Sequence, residues 1–227
     1  MITQILNLLS VLRQDLRSRE LRWLLAALVI SVSSLTSVSF LADRMHRAFE
    51  FDARQLLASD LLVVADQPIP HGLIGRAHQL GLEIAQTIVF PSMASSATQS
   101  KLASIKAVSA NYPLRGTLSI YPVGASSGTE VPQKQGPPSG TVWVEPAILR
   151  NLQLKQGDHL GLGDRRFQIT GVLVREIDRG AGFMNFAPRV MMSLDDLAST
   201  GLIGMGSRVT YRLLLAGSDN SVAAYRT

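Results

Sequence analysis

WLLAALVISVSSLTSVSFLA, residues 23–42, runs without one charged side chain between Arg22 and Asp43. At about 1.5 Å rise per residue such a helix is about 30 Å long, the thickness of a bilayer's hydrocarbon core. Its only polar side chains are serines and Thr36, whose hydroxyls can bond back to a carbonyl one turn earlier and so are tolerated in lipid. The rival reading is a cleaved signal peptide, because Ser39-Phe40-Leu41-Ala42 ends on small residues. A signal's apolar core is normally about 7–15 residues, and this one is longer, so a retained transmembrane helix over 21–42 is the reading adopted.

Working outward, Arg13, Arg17, Arg19 and Arg22 precede the span, while Arg44, Arg47 and Arg54 follow it. That bias favours a cytoplasmic N-terminus. Ile5, Leu8, Leu9, Leu12 and Leu16 lie along one helical face. Residues 1–20 are therefore either an amphipathic helix in the cytoplasmic headgroup layer or a plain extension of the span. Beyond the span, 43–58 reads as a stalk helix with charges between Met45, Phe49, Leu56 and Leu57.

The rest reads as alternating short elements of an α+β domain. Apolar or β-branched runs predict strands at 60–66, 82–97, 101–112, 118–123, 141–144, 158–162, 166–175, 190–192 and 207–216. Gly72–Gly81 reads as a short helix, Pro146 opens another to Leu152, and Ser193 caps a third, with Asp195 and Asp196 placed as first-turn acids. Gly163-Asp164 is a hairpin turn. The segment 124–140, GASSGTEVPQKQGPPSG, has few large apolar residues and is expected to be a flexible loop. A helix opening at Asn220 is expected to cover an apolar sheet face, with the chain ending before that cover is complete.

The composition excludes several functions. No cysteine is present, so there are no disulfides or thiolate metal sites. The net charge of +5 is spread without a Lys/Arg cluster, which argues against nucleic acid. His46, His71, His78 and His159 fall on four separate elements without metal-ligand spacing. Gly161-Leu162-Gly163 lacks the third glycine of a dinucleotide loop, and neither a phosphate-binding loop nor a nucleophile elbow occurs. Arg179 to Phe183 reads as an exposed loop. The chain is therefore expected not to be an enzyme, with no catalytic, cofactor-binding or metal residue.

Residues 152–173, LQLKQGDHLGLGDRRFQITGVL, resemble the periplasmic domain of FtsX-like, MacB-type ABC transporter permeases. The matching positions are Leu154, Gly157, Asp158, Leu160, Leu162, Gly163, Phe167, Ile169, Gly171, Val172 and Leu173. Val108–Gly116, ending in Tyr112-Pro113-Leu114-Arg115-Gly116, and Val142-Trp143-Val144-Glu145 add to the likeness, and the wording is most similar to the YbbP-like branch. The resemblance implies an N-terminal transmembrane helix and a two-lobed periplasmic core domain. Residues 59–123 with 205–227 would form a membrane-proximal lobe, and 141–204 an inserted β-rich lobe. It also implies a bacterial inner membrane setting with the main domain periplasmic. The implied partners are an ATP-binding cassette ATPase on the cytoplasmic side, a second permease copy or further permease segments, membrane lipid and a periplasmic protein. On this view the chain is the N-terminal part of a longer permease that handles a lipid or other hydrophobic substrate. The alternative is a single-pass anchored binding module without transport activity.

Overall fold

The computed structural model describes residues 19–124, 129–179, 187–204 and 206–226. The amphipathic segment expected at the N-terminus and the loop at 180–183 lie outside the described residues. The chain divides into two compact units, Met1–Phe51 and Asp52–Thr227.

Helix α1 runs over Arg19–Leu56, 38 residues, so the expected span and stalk are one continuous helix. A 30-residue part, Glu20–Phe49, is long and apolar enough to cross a membrane. Trp23, Leu24, Leu28, Ile30, Leu35 and Phe40 are all exposed on it, as a lipid-facing helix requires. Thr36 Oγ1 donates to Val32 O at 2.7 Å, the expected back-bond.

The second unit carries β1 (Leu61–Ala65), α2 (His71–Gln79), β2 (Glu83–Ser95), β3 (Ser100–Val108), β4 (Leu118–Pro122) and β5 (Val131–Gln133). There follow β6 (Thr141–Val144), α3 (Pro146–Leu152), β7 (His159–Leu162), β8 (Arg165–Arg175), β9 (Arg189–Ser193), α4 (Leu194–Leu197), β10 (Thr210–Ala216) and α5 (Asp219–Arg226). The described strands form one sheet in the order β1-β10-β2-β3-β9-β6-β8-β4-β5, with β7 pairing β2 and β8. All pairings are antiparallel except β3–β9 and β6–β8.

Period-two alternation sorts each strand between two faces. On one face Phe90, Ile105, Val142, Val144, Phe167, Ile169, Val190 and Met192 pack with Ile148 and Leu152 of α3. On the other, Val108, Leu118, Ile120, Trp143, Leu173, Met191 and Leu214 gather around Tyr112. A third cluster joins Leu213 and Leu215 of β10 to Ala77 of α2 and to Val222 and Tyr225 of α5.

The Gly-Asp motif is a folding motif. Leu160, Leu162, Phe167 and Ile169 all point into the first core, Gly157 N donates to Ile169 O at 2.8 Å, and Asp158 Oδ2 accepts from Lys155 N at 2.7 Å. Leu162 pairs Arg165 across the Gly163-Asp164 turn, where Gly163 has φ +57 and Asp164 N donates to Thr200 O at 2.9 Å. A positive φ at the first central residue alone is the φ signature of a type II′ hairpin.

Four expectations are corrected. The segment 124–140 is not wholly a loop: Val131–Gln133 pairs with β4 and Pro137 is buried, since proline and valine bury apolar area without a periodic run. Strand β4, grouped with the membrane-proximal segments, pairs β8 and β5 instead, and the sheet is continuous through the parallel β3–β9 pair. The helix-end account of Asp196 is incomplete: it stands in the first turn of α4 with Asp195 as expected, but it is buried and accepts from Ser139 Oγ and Gly140 N, both at 2.7 Å. The Ser193 cap stands, accepting from Asp195 N. Finally, α5 does cover its sheet face, through Val222 and Tyr225.

Candidate functional site

Two polar assemblies interrupt this apolar architecture. The larger centres on Lys106, which follows Ile105 on β3 and points to the opposite face. Its side chain is 1% exposed. The ammonium donates to Tyr112 Oη at 2.7 Å, Glu176 Oε1 at 2.7 Å and Asp178 Oδ1 at 2.5 Å, which uses all three of its protons. The Tyr112 hydroxyl in turn donates to Asp178. Arg189, on the neighbouring parallel strand, donates through Nε to Glu176 Oε2 at 2.9 Å and through a terminal nitrogen to Ser104 Oγ at 2.5 Å. Arg212 on β10 reaches Asp178 Oδ2 as an ion pair at 3.5 Å and donates to its main-chain oxygen at 3.3 Å. Next along the chain, Arg179 pairs with Glu145, which also accepts from Arg189 N at 3.0 Å.

The electrostatics follow from the geometry. Burial is the strongest influence on Glu176 and Asp178 and by itself raises a carboxyl pKa. The Lys106 charge opposes it, helped by Arg189 at Glu176 and by the Lys106 and Tyr112 hydrogen bonds at Asp178, and both groups end below their ordinary values. Tyr112 is pushed well above its ordinary value, first by burial and then by the two carboxylates. The network is thus a set of charges that hold one another. It binds residues 176–179, which leave β8, to β3, β9 and β10.

The smaller assembly lies where the chain leaves α1 and enters β1. Ala58 is buried at φ +56, and its carbonyl accepts from Leu114 N at 3.1 Å and Arg115 N at 3.0 Å. Asp60 N donates to Leu215 O at 2.9 Å. The Asp60 carboxylate accepts from Arg115 Nε at 3.1 Å, from the Arg115 NH2 group at 2.6 Å and from Gly217 N at 3.0 Å. The Tyr-Pro-Leu-Arg-Gly segment therefore serves both assemblies: Tyr112 joins the ionic network and Arg115 clamps Asp60. Beside the clamp, Gln55, Leu56, Gly116, Thr117, Arg175, Glu176 and Ile177 line a cleft of about 570 Å³.

His71 and His78 share helix α2 rather than lying on separate elements, and among the described residues no group of three or more acidic, histidine or cysteine side chains could hold a metal. Sequence reasoning passed over Lys106, Glu176, Asp178 and Arg189. The available signal was a lone lysine inside the run Ala103-Ser104-Ile105-Lys106-Ala107-Val108, since a buried lysine demands acidic partners.

No family model matches the chain. Among solved structures it is similar to the extracellular domain of the noncanonic ABC-type transporter YknZ from Gram-positive bacteria. That likeness is 9% identical, covers 73% of this chain and 88% of that one, and has a TM-score of 0.44. It is also similar to the periplasmic region of MacB from Actinobacillus actinomycetemcomitans, at 10% identity over 76% of this chain and 82% of that one, TM-score 0.47. By sequence the chain is similar to an ABC transporter permease, the uncharacterized ABC transporter permease YbbP of Escherichia coli strain K12, at 30% identity over 212 residues, 93% of this chain. The chain spans 25% of that relative's length.

Proposed function

We propose that this chain is the anchoring helix and extracytoplasmic domain of a permease subunit in an ABC transporter of the FtsX/MacB kind, seated in a bacterial inner membrane. The 30% identity along 93% of the chain to a permease carries this reading. The structure supports it with an exposed apolar helix that passes into the sheet within a few residues, Leu56 to Leu61. An ATP-binding cassette subunit on the cytoplasmic side would supply the motion. The Ala58–Asp60 clamp would relay it, because Asp60 is tied at once to Arg115, to Gly217 and, through its main chain, to β10. The strands β1, β10, β2 and β3 on one side and β9, β6, β8, β4 and β5 on the other would then act as two lobes with β3–β9 as their seam. The substrate would be a lipid or another hydrophobic molecule.

The test is extraction of the tagged native gene product in mild detergent. Recovery of an ATP-binding cassette subunit with it is the expected result. Recovery without one turns the reading to an anchored binding module. Orientation is checked separately by a reporter fused after Thr227, which should be active only outside the cytoplasm. Cytoplasmic activity would reverse the topology.

A further inference from the structure

A second cleft, of about 360 Å³, opens at the far end of β2 from the Asp60 clamp, lined by Ser95, Ser96, Leu154, Asp158, His159, Gly161 and Arg166 among others. Its construction follows from register. Gly161 on β7 stands opposite Arg166 on β8, and His159 lies two residues earlier, opposite Gln168. Side chains on alternate positions share a face, so His159 and Arg166 are diagonal neighbours with Gly161 between them. Leu160, Leu162 and Phe167 take the other face and are buried.

Gly161 is there for a steric reason. Ser95 of β2 pairs opposite it, and a Cβ on Gly161 would collide with the Ser95 hydroxyl. The Ser95 hydroxyl takes the place of that Cβ, so the imidazole, the guanidinium and the hydroxyls of Ser95 and Ser96 line one cleft together. Both His159 and Arg166 are exposed, and neither side chain makes a hydrogen bond or ion pair among the described residues. Both serine hydroxyls are already donated, weakly, to main-chain carbonyls at 3.4 Å, and can turn to a better acceptor.

We propose that this cleft binds a phosphodiester anion between Arg166 and His159. A guanidinium fork, a ring N–H and hydroxyls approaching from three sides suit a tetrahedral group with several acceptor oxygens. A volume near the lower end of the roughly 300–1,000 Å³ range for ligand pockets has room for substituents on the phosphate. Asp158 also lines the cleft, and its carboxylate would repel a dianionic monoester more than a monoanionic diester. A phospholipid headgroup and a soluble molecule share this diester chemistry, and the experiment separates the two. The site does not depend on the transport reading, since binding needs neither ATP nor an ATPase.

The test uses the full chain in a nonionic detergent. It is titrated with dimethyl phosphate and, separately, with dihexanoyl-phosphatidylglycerol, and followed by calorimetry and by the His159 imidazole resonances. Saturable binding is expected, weakened at least tenfold in Arg166→Gln and several-fold in His159→Gln, with both variants melting as the parent does because both side chains are exposed. A lipid affinity tenfold or more above that of dimethyl phosphate assigns the headgroup, and equal affinities assign a soluble diester. Absence of saturable binding, equal binding by Arg166→Gln, or the same response to sodium chloride at matched ionic strength overturns the proposal.

Discussion

Ile105 and Lys106 are neighbours on β3, and both are fully buried, yet they hold the sheet by different physics. Ile105 packs among Phe90, Val142, Ile169 and Val190, where attraction is nondirectional and scales with area removed from water. Lys106 meets three oxygens at hydrogen-bond distance, where attraction depends on each partner being in place. Buried ion pairs contribute little net stability against well-packed apolar groups, but breaking one partner is costly. The first face therefore tolerates exchange of one apolar residue for another. The second tolerates only coordinated change.

The largest expected effect tests that contrast directly. Lys106→Ala leaves Glu176 and Asp178 buried without their shared cation and should cost about 3–5 kcal/mol. Ile105→Ala should cost about 2–4 kcal/mol, as cavities of this kind do. Denaturant unfolding of the chain in micelles measures both. The sharper check is a pair: Lys106→Met with Asp178→Asn should lose less than Lys106→Met alone. Additivity of the two changes would mean that the network is not coupled.

Acid should separate the faces next. Glu176 and Asp178 are held below their ordinary values, so their contribution is full above the unfolded carboxylate range, near pH 4, and is lost as pH falls through the lower folded values. In Lys106→Met the same carboxyls lack their main cation, and protonation relieves them. The gap between parent and Lys106→Met should accordingly narrow below about pH 4, while the gap for Ile105→Ala stays constant. A gap that widens in acid would show that Lys106 does not hold the carboxylates charged.

The same contrast explains what could be read in advance. The span at 23–42, the Gly-Asp hairpin, the proline-opened α3 and most strands were legible because each is a local pattern of apolar period, turn chemistry or capping. The network was not, because its members come from 104–112, 176–179, 189 and 212, and only the register of β3 against β9 and of β10 against β2 brings them together. The partners of Asp196 were missed for a similar reason. As a first-turn acid its local explanation was sufficient, while its partners, Ser139 and Gly140, sit in a segment expected to be a loop. Likewise β5 has too little periodicity to be seen alone and exists because β4 offers an edge. The cleft at Arg166 was not visible: Gly161 was weighed only as one glycine of an incomplete dinucleotide loop, and its closeness to Ser95 is tertiary.

A smaller effect is expected at the hairpin tip, where local and tertiary demands coincide. Gly163 needs a positive φ, and its missing Cβ also makes room for the Thr200 carbonyl and the Leu202 side chain. Gly81 has φ +67 with open space around it. Gly81→Ala should therefore cost about 1 kcal/mol, the strain alone, and Gly163→Ala about 2 kcal/mol. Equal losses in thermal unfolding would remove the contact with Thr200 from the account.

The smallest effect belongs to the clamp, and salt is what distinguishes it from the network. The Asp60 side chain is 3% exposed, but that of Arg115 is 37% exposed, so water and ions reach one side of the pair. Asp60 also keeps its bond from Gly217 N when Arg115 is removed, which limits the unpaired charge. Arg115→Ala should cost about 1 kcal/mol, in the range of a partly exposed ion pair. In 1 M sodium chloride, where the screening length is about 3 Å, that loss should shrink. The Lys106→Ala loss should not, because Lys106 and both of its carboxylates are shielded from solvent. If the two losses respond equally to salt, the network is open to solvent and the division of β3 into an apolar and an ionic face fails.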